Sequence, residues 1–293
     1  MGYPGGKGGA GIAQLIINQQ PPHVHYIEPF LGGGAVMRAK RPAFRNTAID
    51  LDPRPIAAFS PSAAASNFST MVDDGVQWLI DHGRELRIDA LVYCDPPYLM
   101  ETRRSQRRIY REEFTDDDHW RLLRVLRELR CMVQLSGYWS KLYAKRLSDW
   151  RVIRFQNSTR RGPREECLWM NYPEPTALHD WRFLGDDFRE RERIKRKTAR
   201  WTARIAALPL LERTSLLSAM ASSLAGRGEG ISRAAVIGVS DERIPQPGRI
   251  GENGVAGSCR RHTLDLAMPR ASSPGSAREA IIDRTAPETA VLQ

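Results

Sequence analysis

Residues 90–98 are Ala-Leu-Val-Tyr-Cys-Asp-Pro-Pro-Tyr, and this stretch decides the fold prediction. The apolar run from Ala90 to Cys94 predicts a buried strand, and the two prolines after Asp95 end it because proline cannot donate to a sheet. Asp95 is therefore predicted at the carboxyl end of a strand. In an open α/β sheet, ligands bind at that edge.

The residues at this strand end, Asp95, Pro96, Pro97 and Tyr98, are predicted to be catalytic, and they suit methylation of an amino group on a base. Such a nitrogen is a poor nucleophile because its lone pair is delocalised into the ring. A carboxylate that accepts one N–H, with a prolyl carbonyl accepting the other, frees the lone pair for attack. Tyr98 is expected to stack on the base, which has to be flipped out of a duplex to reach it.

Two glycine-rich motifs precede this site along the chain. Residues 3–7 are Tyr-Pro-Gly-Gly-Lys, ahead of a predicted helix over residues 12–18. Residues 28–34 are Glu-Pro-Phe-Leu-Gly-Gly-Gly, between a strand predicted over residues 24–28 and a helix through Val36 and Met37. Glycines at such a turn let the backbone approach a bound molecule closely. Asp50 ends the next predicted strand, where it suits either ribose hydroxyls or a helix cap before Pro53.

Together these motifs resemble the Dam-like class of DNA adenine-N6 methyltransferases, in the same order along the chain, over residues 1–175. Within that class the chain is most similar to short phage and prophage enzymes. The resemblance implies a Rossmann-like fold and S-adenosylmethionine as methyl donor. It also implies cofactor-binding roles for Tyr3, Lys7, Glu28, Phe30, Gly32, Gly34, Asp50 and an acidic residue further on. That residue is Asp73 or Asp74, of which Asp74 is preferred; the class more often has Asp-Phe there.

A basic loop follows Tyr98 and ends in an aromatic residue, Tyr110. Placed beside the pocket, it would meet the phosphates that flank a flipped base, although a charged loop also suits plain solvation. The predicted DNA-binding residues are Arg103, Arg104, Arg107, Arg108 and Tyr138. Tyr138 is included because it follows the next strand, predicted over residues 132–135, and so lies on the ligand edge.

The later elements predict a mostly parallel α/β sheet closed by an antiparallel hairpin. A helix is predicted over residues 116–129, with Thr115 and Asp118 at capping-box spacing. Strands over residues 150–155 and 167–172, joined by residues 157–166, predict the hairpin. Its tip carries Arg160, Arg161 and Arg164, which suit either contact with phosphate or plain solvation of the tip.

Three regions are predicted: a catalytic domain (1–175), a basic helical appendage (180–225) and a low-complexity, disordered tail (226–293). The appendage is predicted as helices over residues 187–207 and 210–224. The basic face of the first helix suits three partners equally: DNA, the catalytic domain or a second subunit. The basic residues of that face are Arg189, Arg193, Lys195, Arg196, Lys197 and Arg200.

The composition favours a polyanionic partner, because the chain of 293 residues carries a net charge of +10. No apolar run approaches membrane-spanning length, and no signal peptide is predicted. The four cysteines form no CxxC pair, which predicts a reduced cytoplasmic protein without a metal site. The oligomeric state is left open, with a monomer slightly favoured.

The sequence thus predicts methyl transfer from S-adenosylmethionine to the N6 amino group of adenine in DNA. Aspartate at the first position of the motif favours adenine, because enzymes of cytosine N4 more often carry serine there. Methylation of RNA or of cytosine N4, and a catalytically inactive DNA-binding protein, are the alternatives. Residues 53–70 leave no room for a separate recognition domain, which predicts a short or relaxed target. The resemblance also implies phage residence and protection from host restriction.

Overall fold

The computed structural model describes residues 6–9, 11–59, 67–103, 110–159 and 162–225. In this part of the chain, seven strands form one sheet in the order β3-β2-β1-β4-β5-β7-β6. The strands are β1 (His25–Glu28), β2 (Arg45–Asp50), β3 (Phe68–Val72), β4 (Ala90–Cys94), β5 (Met132–Gly137), β6 (Arg151–Thr159) and β7 (Gly162–Met170). The helices are α1 (Ile12–Ile17), α2 (Ala35–Ala39), α3 (Pro53–Ala58), α4 (Gly75–His82), α5 (Asp116–Glu128), α6 (Lys141–Arg146), α7 (Phe188–Ala206) and α8 (Leu210–Ala225).

Strands β1 to β5 are parallel, and β7 and β6 close the sheet as an antiparallel hairpin. The chain runs outward from β1 to β2 and β3, then returns to β4 on the other side of β1. A crevice therefore opens between the carboxyl ends of β1 and β4, at the point where the strand order reverses. This topology confirms the predicted Rossmann-like α/β fold.

Strand β4 is apolar throughout because both of its faces are covered. Ala90, Val92 and Cys94 pack into one hydrophobic cluster with α4 and α5. Leu91 and Tyr93 pack into the other cluster with α1 and α2. All five residues are buried, as expected for a central strand of a doubly covered parallel sheet.

Helix α5 agrees closely with its prediction. The Thr115 side chain accepts from the Asp118 backbone N–H, and the Asp118 carboxylate accepts from the Thr115 backbone N–H, which completes the capping box. Leu122, Val125 and Leu126 are buried against the sheet. This stripe fixes α5 against the face of the sheet beside the crevice.

Two segments differ from the prediction. Strands β6 and β7 extend through most of the predicted loop, and their pairing continues from Phe155↔Glu166 to Thr159↔Gly162. Charged residues in this segment indicate a loop. In the structure, however, the antiparallel ladder provides hydrogen bonds for their backbone N–H and C=O groups, while their side chains alternate between the two faces of the sheet. Residues 53–70 hold α3 and the start of the unpredicted edge strand β3. Asp52 caps α3 by accepting from the Arg54 backbone N–H.

After β7, the chain packs back onto the sheet before the appendage begins. His179 stacks on His23 with ring centroids 3.8 Å apart, and Asp180 accepts from the Arg41 backbone N–H at 2.8 Å. Helices α7 and α8 then follow within one or two residues of their predicted bounds. The division into three regions stays a prediction, since residues 226–293 lie outside the described part. None of the described helices is long and apolar enough to cross a membrane.

Candidate active site

The carboxyl ends of three parallel strands place three acidic side chains around one cavity. Glu28 ends β1, Asp50 ends β2 and Asp95 directly follows β4. The cavity has a volume of about 1080 Å³ and is also lined by Lys7 and by the turn that contains Gly32 and Gly34. The site residues of three separate sequence motifs therefore share one cavity.

The glycine turn is tied to the end of β2. Gly32 and Gly34 adopt positive φ values of 48° and 60°. The Gly32 backbone N–H donates to Asp50 Oδ2 at 2.7 Å, and the Asp52 backbone N–H donates to Asp50 Oδ1 at 2.9 Å. Each carboxylate oxygen keeps a further lone pair. Because Asp52 caps α3, Asp50 is not the helix cap, and its carboxylate faces the cavity.

Asp74 lies where α4 meets the glycine turn. Its side chain caps α4 by accepting from the Val76 and Gln77 backbone N–H groups, at 2.8 and 3.3 Å. A Cβ atom on Gly75 would lie 2.0 Å from the Pro29 carbonyl oxygen, so only glycine allows this contact. Within the described residues Asp74 lines the cavity and Asp73 does not. Position therefore favours Asp74 over Asp73.

Lys7 binds the carboxylate that follows β4. Its Nζ donates to Asp95 Oδ1 and to the Tyr98 hydroxyl, both at 2.8 Å, and its side chain is only 3% exposed. The sequence assigned Lys7 to the methyl donor, whereas the structure places it on the Asp-Pro-Pro-Tyr motif. It also lines the cavity, so contact with a donor remains compatible with its position.

Glu166 completes the buried cluster and was missed by the sequence analysis. Its Oε2 lies 3.0 Å from the Tyr98 hydroxyl and 3.6 Å from Lys7 Nζ, and its Oε1 accepts from Asn157 Nδ2 at 2.8 Å. The residue lay in the predicted hairpin loop. Its position directly before the buried run Cys167 to Met170 was the available signal, because a carboxylate at the start of a buried strand needs a partner.

The cluster holds two carboxylates and one cation. Burial raises the pKa of Asp95, and Lys7 opposes that rise. Burial also lowers the pKa of Lys7, but the charges of Asp95 and Glu166 outweigh it, so that pKa lies above the ordinary value. Lys7 therefore remains a cation and forms an ion pair with Asp95 at 2.8 Å.

Aromatic side chains adjoin this cluster. The Tyr98 ring is buried and meets the Tyr138 ring edge-on, with centroids 4.6 Å apart. The Arg164 guanidinium lies 4.3 Å from the Tyr138 ring centroid. Tyr138 is thus next to the catalytic motif as predicted from its strand end. Stacking of Tyr98 on a base stays a prediction.

Arg103 supports the catalytic turn and does not face solvent. Its Nε donates to the Tyr98 carbonyl oxygen at 2.7 Å, and its Nη1 pairs with Glu113 Oε2 at 2.7 Å. The side chain is only 5% exposed. This position does not suit the phosphate contact predicted for Arg103. Tyr3, Arg104, Arg107 and Arg108 lie outside the described residues.

Glu28 is buried at the floor of the cavity. The Tyr26 hydroxyl donates to Glu28 Oε1 at 2.7 Å, yet burial raises the pKa of Glu28 to about 8. Nearby Lys40 has its pKa lowered to about 7, also by burial. Burial therefore favours the protonated form of Glu28 at neutral pH.

This pKa predicts a pH-dependent stability. A carboxyl whose pKa is raised on folding binds its proton more tightly in the folded state, so stability falls as pH rises from about 4.5 towards 8. Lys40 contributes little to the pH dependence of stability below its folded pKa of about 7, because it is protonated there in both the folded and the unfolded state. Replacing Glu28 with glutamine should remove this loss. We expect the Glu28→Gln variant to gain roughly 2 kcal/mol relative to wild type between pH 5 and 7 in denaturant unfolding. Parallel pH profiles would refute the assignment.

A family model, "D12 class N6 adenine-specific DNA methyltransferase", matches residues 82–154. The matched segment contains β4, the Asp-Pro-Pro-Tyr motif, α5 and β5. Fold, site and match define the protein as an S-adenosylmethionine-dependent methyltransferase. Its family resemblance is to the D12 class of DNA adenine-N6 enzymes, which confirms the predicted class.

Solved structures of similar proteins are remote in sequence. One is precorrin 8W decarboxylase from Methanobacterium thermoautotrophicum (12% identity, 59% of this chain and 96% of that chain, TM-score 0.38). Another is a SAM-dependent methyltransferase from Agrobacterium tumefaciens (13% identity, 55% of this chain and 60% of that chain, TM-score 0.36). A third is M. capricolum TrmK in complex with S-adenosylhomocysteine (7% identity, 73% of this chain and 96% of that chain, TM-score 0.37). Comparison with curated proteins gave no match.

Proposed function

We propose that the enzyme transfers the methyl group of S-adenosylmethionine to the N6 amino group of an adenine flipped out of DNA. The observation that carries this proposal is the single cavity that joins the glycine turn and Asp50 to Asp95. Its volume is sufficient for a ligand of nucleoside size beside a base. A donor bound at one end would therefore share a space with a base held at the other.

The donor fits the residues at the turn. The Asp50 carboxylate keeps lone pairs for ribose hydroxyls, and the positive φ of Gly32 and Gly34 leaves the backbone open to a ligand. Asp74 and Phe30 line the same end of the cavity. The proposed cofactor-binding residues are Tyr3, Lys7, Glu28, Phe30, Gly32, Gly34, Asp50 and Asp74. When bound, the donor supplies a methyl group on a positively charged sulfur.

Asp95 is the proposed acceptor for the amino group. Lys7 and Tyr98 occupy Oδ1, which leaves Oδ2 to accept an N–H of the base. A prolyl carbonyl of the rigid turn would accept the second N–H, so the lone pair points away from the ring system. The side chain of Asp95 is 19% exposed, against 3% for Lys7 and Glu166. Within the cluster Asp95 is thus the group that a substrate can reach.

DNA as substrate requires base flipping at this site. The carboxylate lies at the edge of a sheet, inside a cavity that an amino group within a stacked duplex cannot enter. Tyr138 is partly exposed and supplies aromatic surface next to the buried Tyr98, and the net charge of +10 favours a polyanion. We further propose a cytoplasmic enzyme, on the basis of its cysteine pattern, that acts as a monomer. Phage residence and protection from host restriction are proposed on the resemblance alone.

The target sequence is proposed to be short or relaxed. Between Pro53 and Thr70, the described residues form α3 and the start of an edge strand, with residues 60–66 between them. Few side chains from this segment can reach base edges in a groove, where sequence is read. Binding would then rest mainly on phosphate contacts.

Product analysis tests the proposal. Purified protein is incubated with labelled S-adenosylmethionine and random-sequence DNA, or with RNA, and the nucleic acid is digested to nucleosides. We expect N6-methyladenine from DNA, and mapped sites that share fewer than about six bases. Methylcytosine, or label in RNA alone, would overturn the substrate assignment. A strict longer site would overturn only the relaxed specificity.

A further inference from the structure

Helix α7 carries a row of basic side chains along one face. At 100° per residue, six of them fall within a sector of about 100°, and the row extends over about 22 Å. All six are exposed. They are Arg189, Arg193, Arg196, Lys197, Arg200 and Arg204.

Packing at the start of α7 fixes the direction of this row. Arg191, on the opposite face, donates to the Gly185 and Asp186 carbonyl oxygens, both at 3.4 Å. A Cβ atom on Gly11 would lie 2.8 Å from Arg191 Nη2, so the helix begins beside the segment that brings Lys7 to the site. Ile194 and Ile205 are partly buried on the same side. The basic row therefore points away from the catalytic domain, which removes that domain as its partner.

The charges of the row are barely compensated in the described part of the chain. Arg193 pairs with Glu190 at 3.3 Å, and this exposed pair contributes little. Lys195, which lies off the row, pairs with Glu192. A second copy of the chain is a poor partner because the protein is itself strongly basic. Arginine predominates in the row, and its planar fork suits phosphate oxygens.

We propose that this row binds the phosphate backbone of the duplex DNA that carries the target base. The proposal rests on DNA being the substrate and adds a binding surface separate from the catalytic cavity. A duplex carries one charge per about 1.7 Å of its axis, so a row of this length faces several phosphates. Such contacts are independent of sequence, as expected for an enzyme of relaxed specificity. The row raises affinity for DNA and takes no part in the chemistry.

A charge-matched pair of triple variants tests the proposal. Arg193, Arg196 and Arg200 are replaced by glutamine in one variant. In the control, the exposed residues Arg45, Arg84 and Arg87 at the opposite, amino edge of the sheet are replaced instead. Affinity for a fluorescent duplex is measured between 50 and 200 mM salt, with kcat and KM for DNA and the affinity for S-adenosylhomocysteine.

For the α7 variant, we expect at least about tenfold weaker binding at low salt and a salt slope smaller by about 3, since each phosphate contact contributes about 0.9. KM for DNA should rise, while kcat at saturating DNA and the affinity for S-adenosylhomocysteine stay unchanged. The control should behave as wild type. The proposal would be overturned if the two variants had the same affinity for DNA and the same salt slope. It would also be overturned if the protein bound anionic vesicles more tightly than DNA and the α7 variant lost that binding. If the wild-type protein methylates no DNA, that result rejects the proposed function itself and is distinct from a failure of the binding surface on α7.

Discussion

Replacement of Asp95 with alanine should lower kcat for methyl transfer by at least about 10³-fold, comparable to the loss of a key electrostatic group in other enzymes. Asp95 is the reachable acceptor in the cavity, and its removal leaves the amino lone pair delocalised into the base. The substitution leaves Lys7 beside Glu166, at 3.6 Å, so the fold should be retained. Single-turnover transfer to DNA and the affinity for S-adenosylhomocysteine are the measurements.

The matched control is Asp149→Ala, which removes an exposed carboxylate paired with Arg127 on the surface. It should transfer methyl groups at the wild-type rate. Affinity for S-adenosylhomocysteine should change by no more than a few-fold in either variant, because Asp50 and the glycine turn are untouched. An Asp95→Ala variant with more than a tenth of the wild-type rate would contradict the assigned role.

Among the substitutions proposed for this protein, replacement of Lys7 with methionine should cause the largest decrease in the free energy of unfolding. It leaves Asp95 and Glu166 buried together without their cation, and removal of one partner from a buried charge cluster costs about 3–5 kcal/mol. Without Lys7, which opposes the effect of burial, the pKa of Asp95 should rise further in the folded state, so the loss of stability should grow as pH rises and shrink in acid. Denaturant unfolding at pH 5 and pH 8 measures this dependence.

A second substitution provides the control. In the Lys7→Met/Glu166→Gln double variant, one uncompensated charge is gone, so part of the lost stability should return at pH 8. Additive effects of the two substitutions would mean that the two side chains do not interact. A Lys7→Met variant as stable as wild type at pH 8 would show that the cluster is not charged as described.

The fold was predictable where the signal is local. The apolar run of β4, the prolines after Asp95 and the capping box at Thr115 each depend on residues within a few positions. The ends of parallel strands share one edge of a sheet, so Glu28, Asp50 and Asp95 were expected together.

The partners of buried charges were not predictable, because they depend on distant residues. Lys7 and Glu166 meet only when the first segment and the hairpin fold onto β4. Arg103 lay in a basic stretch that indicated an exposed loop, yet Glu113 and the Tyr98 carbonyl oxygen hold it inside. Charge along the sequence predicts solvent exposure on average, whereas a nearby carboxylate decides the individual case.

The central claim is that one cavity brings a methyl donor to Asp95. A crystal structure of the protein with S-adenosylhomocysteine tests it most directly. We predict the ribose hydroxyls at Asp50 and the sulfur atom directed along the cavity towards Asp95. A ligand bound outside this cavity, or with its sulfur directed away from Asp95, would contradict the account.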